Sequence, residues 1–305
     1  MSWQPPSDYA TRPVTILGAG VLGRRIACTW AAAGYNVHIR DPSAAQLAQC
    51  ASYFESNIGT YKEKTSSSKT GTISTFADLE PAVATAWLIV EAVPEVLDLK
   101  TKTFAALEAH APRDALLATN SSSYKSSEML SGLVSPTTAS RILNTHYYMP
   151  PANMVVELMT CGHTHAPIFP FLAARLRETG AAPYTARVES TGFIFNRLWA
   201  AVKRETLAIL SEGVSTPEEI DALWTDMFVR GQATPCRLMD QVGLDTVAFI
   251  EAHYVAERGL DDEHTVRYLE REFIAKGRLG DKSGKGGLYP PQGEGGVGEK
   301  GSEQP

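Results

Sequence analysis

The sequence predicts an α/β domain with a parallel sheet, followed by a domain built only of helices. Up to about residue 190, short apolar runs alternate with longer segments of helical spacing. Such alternation is typical of a parallel sheet with helices on both faces. After residue 190 the helical spacing continues, and no strand pattern competes with it. The chain has 305 residues, which is enough for two domains of about 100–200 residues each.

The strands of the first domain are predicted from short runs rich in aliphatic and β-branched residues. In chain order these runs are Val14–Leu17, Val37–Arg40, Trp87–Val90, Ala115–Ala118, Ile142–His146, Val155–Thr160 and Pro183–Val188. Helices are predicted between them near Val21–Gly34, Ser43–Tyr61, Glu95–His110 and Phe169–Glu178.

The second domain is predicted to contain helices over Phe193–Glu212, Pro217–Asp226, Thr246–Arg258 and Glu263–Lys276. Thr216, Pro217 and Glu219 form a strong helix start, because Thr can cap the helix, Pro fits its first position and Glu completes a capping box. We therefore expect a first domain over residues 1–190 and a helical domain over residues 191–290. Residues 291–305 are rich in glycine and charge, and we expect a disordered tail there.

Composition and charge exclude several classes of protein. The net charge of −6 and the pI near 5.7 disfavour a nucleic-acid partner. No apolar run reaches the roughly 20 residues needed to cross a bilayer. The first residues also lack the pattern of a secretion signal. We therefore expect a cytoplasmic protein with no membrane partner.

The cysteines are scattered and lack the spacing of metal ligands; they are Cys28, Cys50, Cys161 and Cys236. Reduced thiols are the expected state in a cytoplasmic protein. The segment Cys161-Gly-His163-Thr-His165 has no second ligand cluster that would complete a metal site. We therefore expect no bound metal.

A glycine-rich loop follows the first predicted strand and opens the first predicted helix. It comprises Gly18, Ala19, Gly20, Val21, Leu22 and Gly23. In this context Gly18 allows a tight turn, Gly20 lets a pyrophosphate approach the backbone, and Gly23 lets helix and strand pack closely. The amides of the helix N-terminus would bind the phosphates. The order of strand, glycines, helix and strand predicts a Rossmann-type dinucleotide-binding domain.

The second strand ends at an acidic residue, Asp41, about 20 residues beyond the glycines. Its carboxylate would accept hydrogen bonds from the adenosine ribose hydroxyls and would repel a 2′-phosphate. The sequence therefore favours NAD as the cofactor. The neighbouring Arg40 could instead reach a 2′-phosphate, which leaves NADP open.

His146 and Glu157 lie at equal distances from a point between Pro151 and Ala152. If these residues turn a hairpin, the two side chains face each other with Cβ atoms roughly 4.5–5.5 Å apart. A carboxylate in that place would fix the imidazole tautomer and raise its basicity, as a general base requires. On this stretch alone, a loop histidine with satisfied hydrogen bonds is an equally good interpretation.

Further motifs follow one another in a characteristic order. They are Glu91-Ala-Val-Pro-Glu95-Val-Leu-Asp-Leu-Lys100, Asn120-Ser-Ser122-Ser, His146-Tyr-Tyr-Met-Pro, Gly192-Phe-Ile-Phe-Asn196-Arg197, Gly243-Leu-Asp245 and Gly280-Asp-Lys282-Ser-Gly-Lys-Gly. With these motifs the chain resembles the short, single-function L-3-hydroxyacyl-CoA dehydrogenases, from the glycine loop to about Tyr289. The resemblance implies an NAD-dependent homodimeric enzyme of fatty acid metabolism that interconverts a 3-hydroxyacyl-CoA and its 3-keto form.

The resemblance also implies roles for individual residues. His146 would be the catalytic base, and Glu157 would orient it. Ser122 and Asn196 would hold the reacting oxygen of the substrate, and Ser122 would also contact the cofactor. The other residues that the resemblance places at the cofactor are Glu95, Lys100 and Lys282.

Two segments depart from the resembled pattern and leave the substrate open. Met149 replaces an asparagine that helps to hold the nicotinamide riboside, and residues 228–237 replace a run near the acyl pocket. A dehydrogenase of a non-CoA hydroxy acid, such as a sugar acid, a carnitine-type compound or a specialised metabolite, is therefore the first alternative. A cofactor-binding protein without turnover is the second. Such a protein would tend to lose His146 or Glu157, and both are present.

Overall fold

A mixed sheet forms the centre of the first part of the chain. The computed structural model describes residues 3–131 and 135–291. The strands within these ranges are β1 (Val14–Leu17), β2 (Val37–Arg40), β3 (Ile73–Phe76), β4 (Leu88–Glu91), β5 (Leu116–Thr119), β6 (Ile142–Met149), β7 (Asn153–Thr160) and β8 (Ala182–Ala186). Their order in the sheet is β3-β2-β1-β4-β5-β6-β7-β8. Strands β1 to β6 pair in parallel, β7 runs antiparallel to β6, and β8 runs parallel to β7. The predicted α/β architecture is confirmed.

Helices cover both faces of this sheet. They are α1 (Val21–Ala32), α2 (Ala44–Lys62), α3 (Leu79–Val83), α4 (Leu97–His110), α5 (Pro136–Ala139) and α6 (Ile168–Glu178). Side chains of α1, α2 and α6, among them Trp30 and Leu172, share one buried cluster with the strands. Side chains of α3 and α4, among them Phe104, form the second cluster on the opposite face.

The central strands are buried along their whole length. Every residue of β1, β4 and β5 is buried, as expected of parallel strands that are covered on both faces. Their continuous apolar runs made them easy to predict. Because β1, β2 and β4 are parallel, their carboxyl ends meet at one edge of the sheet, and the glycine loop leaves β1 at that edge.

Strands β6 and β7 form an antiparallel hairpin. Its register places His146 directly opposite Glu157, as the symmetry of the sequence predicts. The register shifts by one residue between Tyr147 and Met149. The peptide bond between Pro150 and Pro151, in the turn, is cis.

The remaining described residues form a helical part. Its helices are α7 (Phe195–Ser211), α8 (Pro217–Trp224), α9 (Pro235–Val242), α10 (Leu244–Arg258) and α11 (Val266–Glu272). Leu244, Val266 and Phe273 belong to its buried cluster. Thr216 caps α8 by accepting a hydrogen bond from the Glu219 amide, which confirms the predicted helix start. The all-helical character predicted for this part is also confirmed.

Packing contacts divide the chain into two compact units between Lys203 and Arg204, within α7. The boundary after residue 190, read from the change of sequence pattern, stays a prediction. The expected disordered tail concerns residues 291–305, and of these, residues 292–305 lie outside the described residues. Across the described ranges, none of the helices combines the length and apolar character that a bilayer crossing requires.

The sequence patterns missed several short elements. The edge strand β3 is only partly buried, and it has polar residues at its centre, so its apolar pattern is weak. Helix α3 is too short to show helical periodicity. Helix α9 lies where no helix was predicted, and α11 is shorter than the predicted helix over Glu263–Lys276. The chain ends α11 before a 3₁₀ turn and the left-handed Gly277.

Candidate active site

The glycine loop has the close packing that its sequence predicts. Gly18 has φ of +108°, and a Cβ atom there would lie 2.5 Å from the carbonyl oxygen of Ala92. A Cβ atom on Gly23 would collide with the Gly18 carbonyl. At Gly20 no atom lies within 4 Å of such a Cβ. The first and third glycines are thus required by packing within the protein, whereas the space above Gly20 is open for a ligand.

Asp41 lies at the end of β2 and is fixed by backbone amides. Its Oδ2 accepts a hydrogen bond of 2.9 Å from the Ala19 amide, and its Oδ1 accepts one of 2.8 Å from the Ser43 amide. The carboxylate is therefore held against the glycine loop, where ribose hydroxyls would reach it. Arg40 does not pair with it, because its Nε donates to the Ala77 carbonyl at 2.9 Å.

A small, mainly apolar cavity of about 170 Å³ opens beside these residues. It lies between β1 and the start of α4, near the point where the strand order reverses, which is where ligands bind in such sheets. Arg40 and Lys102 contribute cationic groups to its wall. The other lining residues are Leu17, Leu79, Val93, Thr103 and Ala106. Its apolar lining and its position beside Asp41 suit the adenosine part of a dinucleotide.

A buried ionic network lies at the carboxyl ends of β4 and β5. The Lys100 ammonium is almost fully buried and donates to Glu91 at 2.8 Å and to Glu95 at 3.0 Å. Glu91 is completely buried, and its second oxygen accepts a 2.6 Å hydrogen bond from the Thr119 hydroxyl. The Val93 amide donates to the first oxygen at 2.8 Å. Charges this deeply buried are stable only when they are paired and hydrogen-bonded, and here they are.

The serine loop after β5 is attached to this network. Ser121, not Ser122, donates its hydroxyl to Glu95. The Ser121 hydroxyl also accepts a hydrogen bond of 2.8 Å from the Tyr124 amide. Ser122 is exposed, and among the described residues its side chain has no hydrogen-bond partner. The network therefore fixes the loop and presents Ser122 at its surface.

The imidazole of His146 and the carboxylate of Glu157 are both buried, on the same face of the hairpin. The His146 Nδ1 lies 3.9 Å from Glu157 Oε2, which is longer than a hydrogen bond. Within the part of the chain that the structure describes, Nδ1 is buried and has no hydrogen-bond partner. The two groups are thus adjacent but not bonded in this conformation.

Glu157 takes its hydrogen bonds from other donors. The Tyr148 hydroxyl donates to its Oε2 at 2.6 Å, and the amides of Ile194 and Phe195 donate to its Oε1 at 2.9 and 3.1 Å. Burial raises the pKa of Glu157, but the adjacent His146, the Tyr148 hydroxyl and the two amides outweigh it, and the pKa is lowered. Glu157 is therefore a carboxylate anion that also anchors the start of α7.

Aromatic rings hold the imidazole in place. The ring of Tyr148 lies 4.6 Å from the His146 ring, and that of Phe193 lies 5.2 Å from it. Phe193 is buried and adopts a positive φ of 55°, which is rare for a bulky residue. Such a conformation persists only where the surroundings enforce it, and here it brings the ring against His146.

The other residues predicted at the substrate and cofactor are less enclosed. Asn196 is half-buried in the first turn of α7. Met149 ends β6 and is 44% exposed. In the helical part, Lys282 forms an ion pair with Asp245 and lies 3.3 Å from the Thr246 hydroxyl. Their predicted contacts with substrate and cofactor stay predictions.

Sequence reasoning missed several residues of this region. Glu91, Thr119 and Ser121 join the Lys100 network, and Tyr148 and Phe193 contact His146. The only sequence clue was position, because Glu91 ends an apolar strand and Tyr148 lies two residues after the histidine. A residue two positions away on a strand points to the same face.

Two family models match the chain. The model of the 3-hydroxyacyl-CoA dehydrogenase NAD binding domain matches residues 13–188. The model of the 3-hydroxyacyl-CoA dehydrogenase C-terminal domain matches residues 192–289. The chain belongs to the 3-hydroxyacyl-CoA dehydrogenase family. It is accordingly an NAD-binding oxidoreductase, as the glycine loop and Asp41 predict.

Curated members of the 3-hydroxyacyl-CoA dehydrogenase family resemble this chain to different extents. A probable 3-hydroxyacyl-CoA dehydrogenase of Caenorhabditis elegans is 30% identical over 290 residues, covering 90% of this chain and 94% of that protein. The 3-hydroxyacyl-CoA dehydrogenase-like protein LAM1 of Cochliobolus heterostrophus is 50% identical over 158 residues. That match covers 52% of this chain and 33% of LAM1.

Two further relatives bear on substrate and fold. A 5-formyl-3-hydroxy-2-methylpyridine 4-carboxylate 5-dehydrogenase of Mesorhizobium japonicum is 25% identical over 288 residues and covers 92% of both chains. The crystal structure of a 3-hydroxyacyl-CoA dehydrogenase from Archaeoglobus fulgidus superposes with a TM-score of 0.72 at 25% identity, over 92% of each chain. The fold is thus common to members whose names give different substrates.

Proposed function

We propose that this chain interconverts a 3-hydroxyacyl-CoA and its 3-keto form by hydride transfer with NAD. One observation carries the proposal: His146 and Glu157 are buried opposite each other on the hairpin. A histidine beside a carboxylate anion is suited to proton transfer with a secondary alcohol. The dinucleotide-binding loop leaves β1, a strand of the same sheet. The two features together favour proton and hydride transfer from one substrate.

Each side chain has a defined role in this proposal. In the oxidation of the alcohol, His146 takes the hydroxyl proton, and Glu157 stabilises the resulting imidazolium. Ser122 and Asn196 donate hydrogen bonds that orient the reacting oxygen. Bound NAD would supply the acceptor for the hydride that leaves the hydroxyl-bearing carbon. General base catalysis contributes about 10²–10⁴-fold to such a reaction, and positioning supplies much of the rest.

The cofactor would be held by residues at the edge of the sheet. Asp41 would bind the ribose hydroxyls of the adenosine, and the amides from Gly20 to Gly23 would bind the pyrophosphate, since the Ala19 amide donates to Asp41. At the nicotinamide end, Glu95 and Lys100 would contact the riboside. Their mutual pairing supports this role, because it fixes both side chains before the cofactor arrives. Lys282 of the helical part is the remaining proposed contact.

A second candidate is a dehydrogenase of a non-CoA hydroxy acid. It is favoured by Met149, a half-exposed thioether in a place where the resembled enzymes have an amide. It is also favoured by residues 228–237, which depart from the acyl-pocket run. Residues 228–230 of this segment belong to a π-helical turn at Thr225–Arg230. The relative from Mesorhizobium japonicum, which is named for a pyridine carboxylate, also supports this candidate.

We further propose that the protein is a cytoplasmic homodimer of fatty acid metabolism. Support for the dimer comes from large apolar side chains exposed on α7, α8 and α10, among them Leu207, Leu223 and Phe249. Within the described residues, neither α7 nor α8 has a buried side chain. Exposed apolar surface of this extent is typical of protein interfaces, and a second copy of the chain would cover it.

The decisive assay follows NADH oxidation spectrophotometrically with acetoacetyl-CoA, and in parallel with free 3-keto acids and keto sugar acids. The proposal predicts turnover of the thioester with a kcat/KM at least about tenfold higher than for any free acid. Preference for a free acid would establish the second candidate. NADH binding without turnover of any compound would instead indicate a cofactor-binding protein.

A further inference from the structure

The side chain of Tyr148 contacts both members of the proposed catalytic pair. It lies two residues after His146 on β6 and therefore points to the same face of the sheet. Its ring packs on the imidazole with a centroid distance of 4.6 Å. Its hydroxyl donates to Glu157 Oε2 at 2.6 Å. On its far side the ring meets the edge of Phe195 at 5.6 Å.

This hydroxyl and the imidazole lie nearest to the same oxygen of Glu157. The Glu157 Oε2 that accepts from Tyr148 is also the atom nearest to His146 Nδ1, at 3.9 Å. The other oxygen, Oε1, already accepts two backbone amides from Ile194 and Phe195. Among the described residues, Nδ1 is buried and has no hydrogen-bond partner. The hydroxyl of Tyr148 therefore binds the carboxylate oxygen that the imidazole faces.

We propose that Tyr148 is a positioning residue of the reaction: its hydroxyl shares Glu157 with His146 and thereby sets the pH range over which the pair transfers protons. The proposal rests on the function proposed above for His146 and Glu157. It adds a residue that contacts the proposed base and hydrogen-bonds its carboxylate partner.

Tyr148 is the neighbouring titratable side chain that contacts both His146 and Glu157. On β6 and β7 the titratable side chains facing the pair are His146, Tyr148 and Glu157 themselves. From β8, Tyr184 lies in register with Glu157. Its phenol, Tyr148 and Glu157 all line one apolar cavity of about 270 Å³. The segment before α7 contributes amides and the Phe193 ring. Burial and the hydrogen bond to Glu157 raise the pKa of Tyr148, so its hydroxyl remains a donor at every working pH.

Removal of the hydroxyl should strengthen the coupling between the imidazole and the carboxylate. In Tyr148→Phe the ring remains, but Oε2 loses the hydrogen bond from the hydroxyl. The negative charge of Glu157 then acts more strongly on the imidazole and favours its protonated form. The midpoint of the His146 proton titration should rise by about 0.5–1 pH unit. The acidic limb of the kcat/KM profile for alcohol oxidation should move to higher pH by the same amount.

The test measures histidine ring proton NMR titrations of the full chain with NADH bound, with His146→Asn assigning the resonance. Tyr147→Phe is the matched control, because the Tyr147 hydroxyl is buried too but accepts from Trp30 at 2.9 Å. Tyr147 points to the opposite face of β6, so its loss should leave the His146 midpoint unchanged.

A raised midpoint in Tyr148→Phe with an unchanged midpoint in Tyr147→Phe supports the proposal. An unchanged or lowered midpoint in Tyr148→Phe overturns it, and so does an equal rise in both variants. The titration requires no turnover. If the wild-type chain oxidises and reduces no substrate, the proposed function fails on its own, and the NMR result still decides the role of Tyr148.

Discussion

At the scale of single residues, Glu91 is a buried side chain with several polar contacts near the cofactor loop. It is fully buried at the end of β4 and binds Lys100, Thr119 and the Val93 amide at once. Glu91 pairs with the Lys100 ammonium, which also pairs with Glu95. Its contribution is therefore expected mainly in stability and in the order of the serine loop.

Replacement of Glu91 by Gln should destabilise the protein strongly. The substitution keeps an acceptor for Thr119 but removes the charge that pairs with the buried Lys100 ammonium. Loss of one partner of a buried ion pair costs about 3–5 kcal/mol, and because Glu95 remains, we expect roughly 3 kcal/mol. The change in the free energy of unfolding is measured by urea denaturation at neutral pH.

The matched control is Asp98→Asn, which removes the exposed partner of Lys102 on the same helix. Solvent screens that pair, so its loss should change the stability little. Equal effects of the two substitutions would show that the buried network contributes no more than a surface pair.

The sequence predicts single residues well only where local pattern determines position. His146 and Glu157 could be paired in advance, because a hairpin turn fixes which residues face each other. The Lys100 contacts could not be predicted, since they join residues from β4, β5 and α4 that only the packed sheet brings together. For the same reason, the contact of Ser121 with Glu95 could not be predicted. The role of Ser122 at the substrate stays a prediction.

At the scale of elements, the glycine loop contains glycines required by packing and a glycine that leaves space for a ligand. Gly23 is pressed against the Gly18 carbonyl, whereas no atom lies near the Cβ position of Gly20. Strand, loop and helix α1 were all predicted, because the motif combines periodicity with glycines at fixed spacing. The edge strand β3 was missed, because its burial arises from pairing with β2 and not from its own sequence.

Alanine substitutions at Gly20 and Gly23 should therefore affect different properties, namely NADH binding and stability. Gly20→Ala should leave the free energy of unfolding within about 0.5 kcal/mol of the wild type. It should weaken NADH binding at least about tenfold, because the methyl group occupies the approach of the pyrophosphate. Gly23→Ala should cost about 1–3 kcal/mol or more through overpacking. Chemical denaturation and NADH fluorescence titration measure the two quantities.

Gly59→Ala serves as the control, since Gly59 lies within α2 with no atom near its Cβ position. It should stabilise the protein by about 0.5–1 kcal/mol and leave NADH affinity unchanged. If Gly20→Ala binds NADH as the wild type does, the loop is not the pyrophosphate site.

At the scale of the whole molecule, the two compact units differ in how they use their apolar residues. The unit that contains the sheet has large buried clusters, whereas helices of the other unit expose many large apolar side chains. Helical spacing alone predicted these helices. It could not predict which apolar side chains are buried within the chain and which stay exposed.

The proposed dimer gives a direct prediction. Phe249→Asp replaces a ring that is 78% exposed on α10 and should raise the dimer dissociation constant at least about tenfold. Val188→Asp, which replaces a 72% exposed side chain after β8, should leave the dimer intact. Sedimentation equilibrium distinguishes the cases, and a monomeric wild type would refute the dimer.

In the proposed function, His146 transfers the proton of a secondary alcohol during hydride transfer with NAD. The most direct measurement is the steady-state kcat/KM of His146→Ala with acetoacetyl-CoA, together with its NADH dissociation constant. The proposed mechanism predicts a fall of kcat/KM by about 10²–10⁴-fold with NADH affinity nearly unchanged. A His146→Ala variant that turns over as fast as the wild type would contradict it.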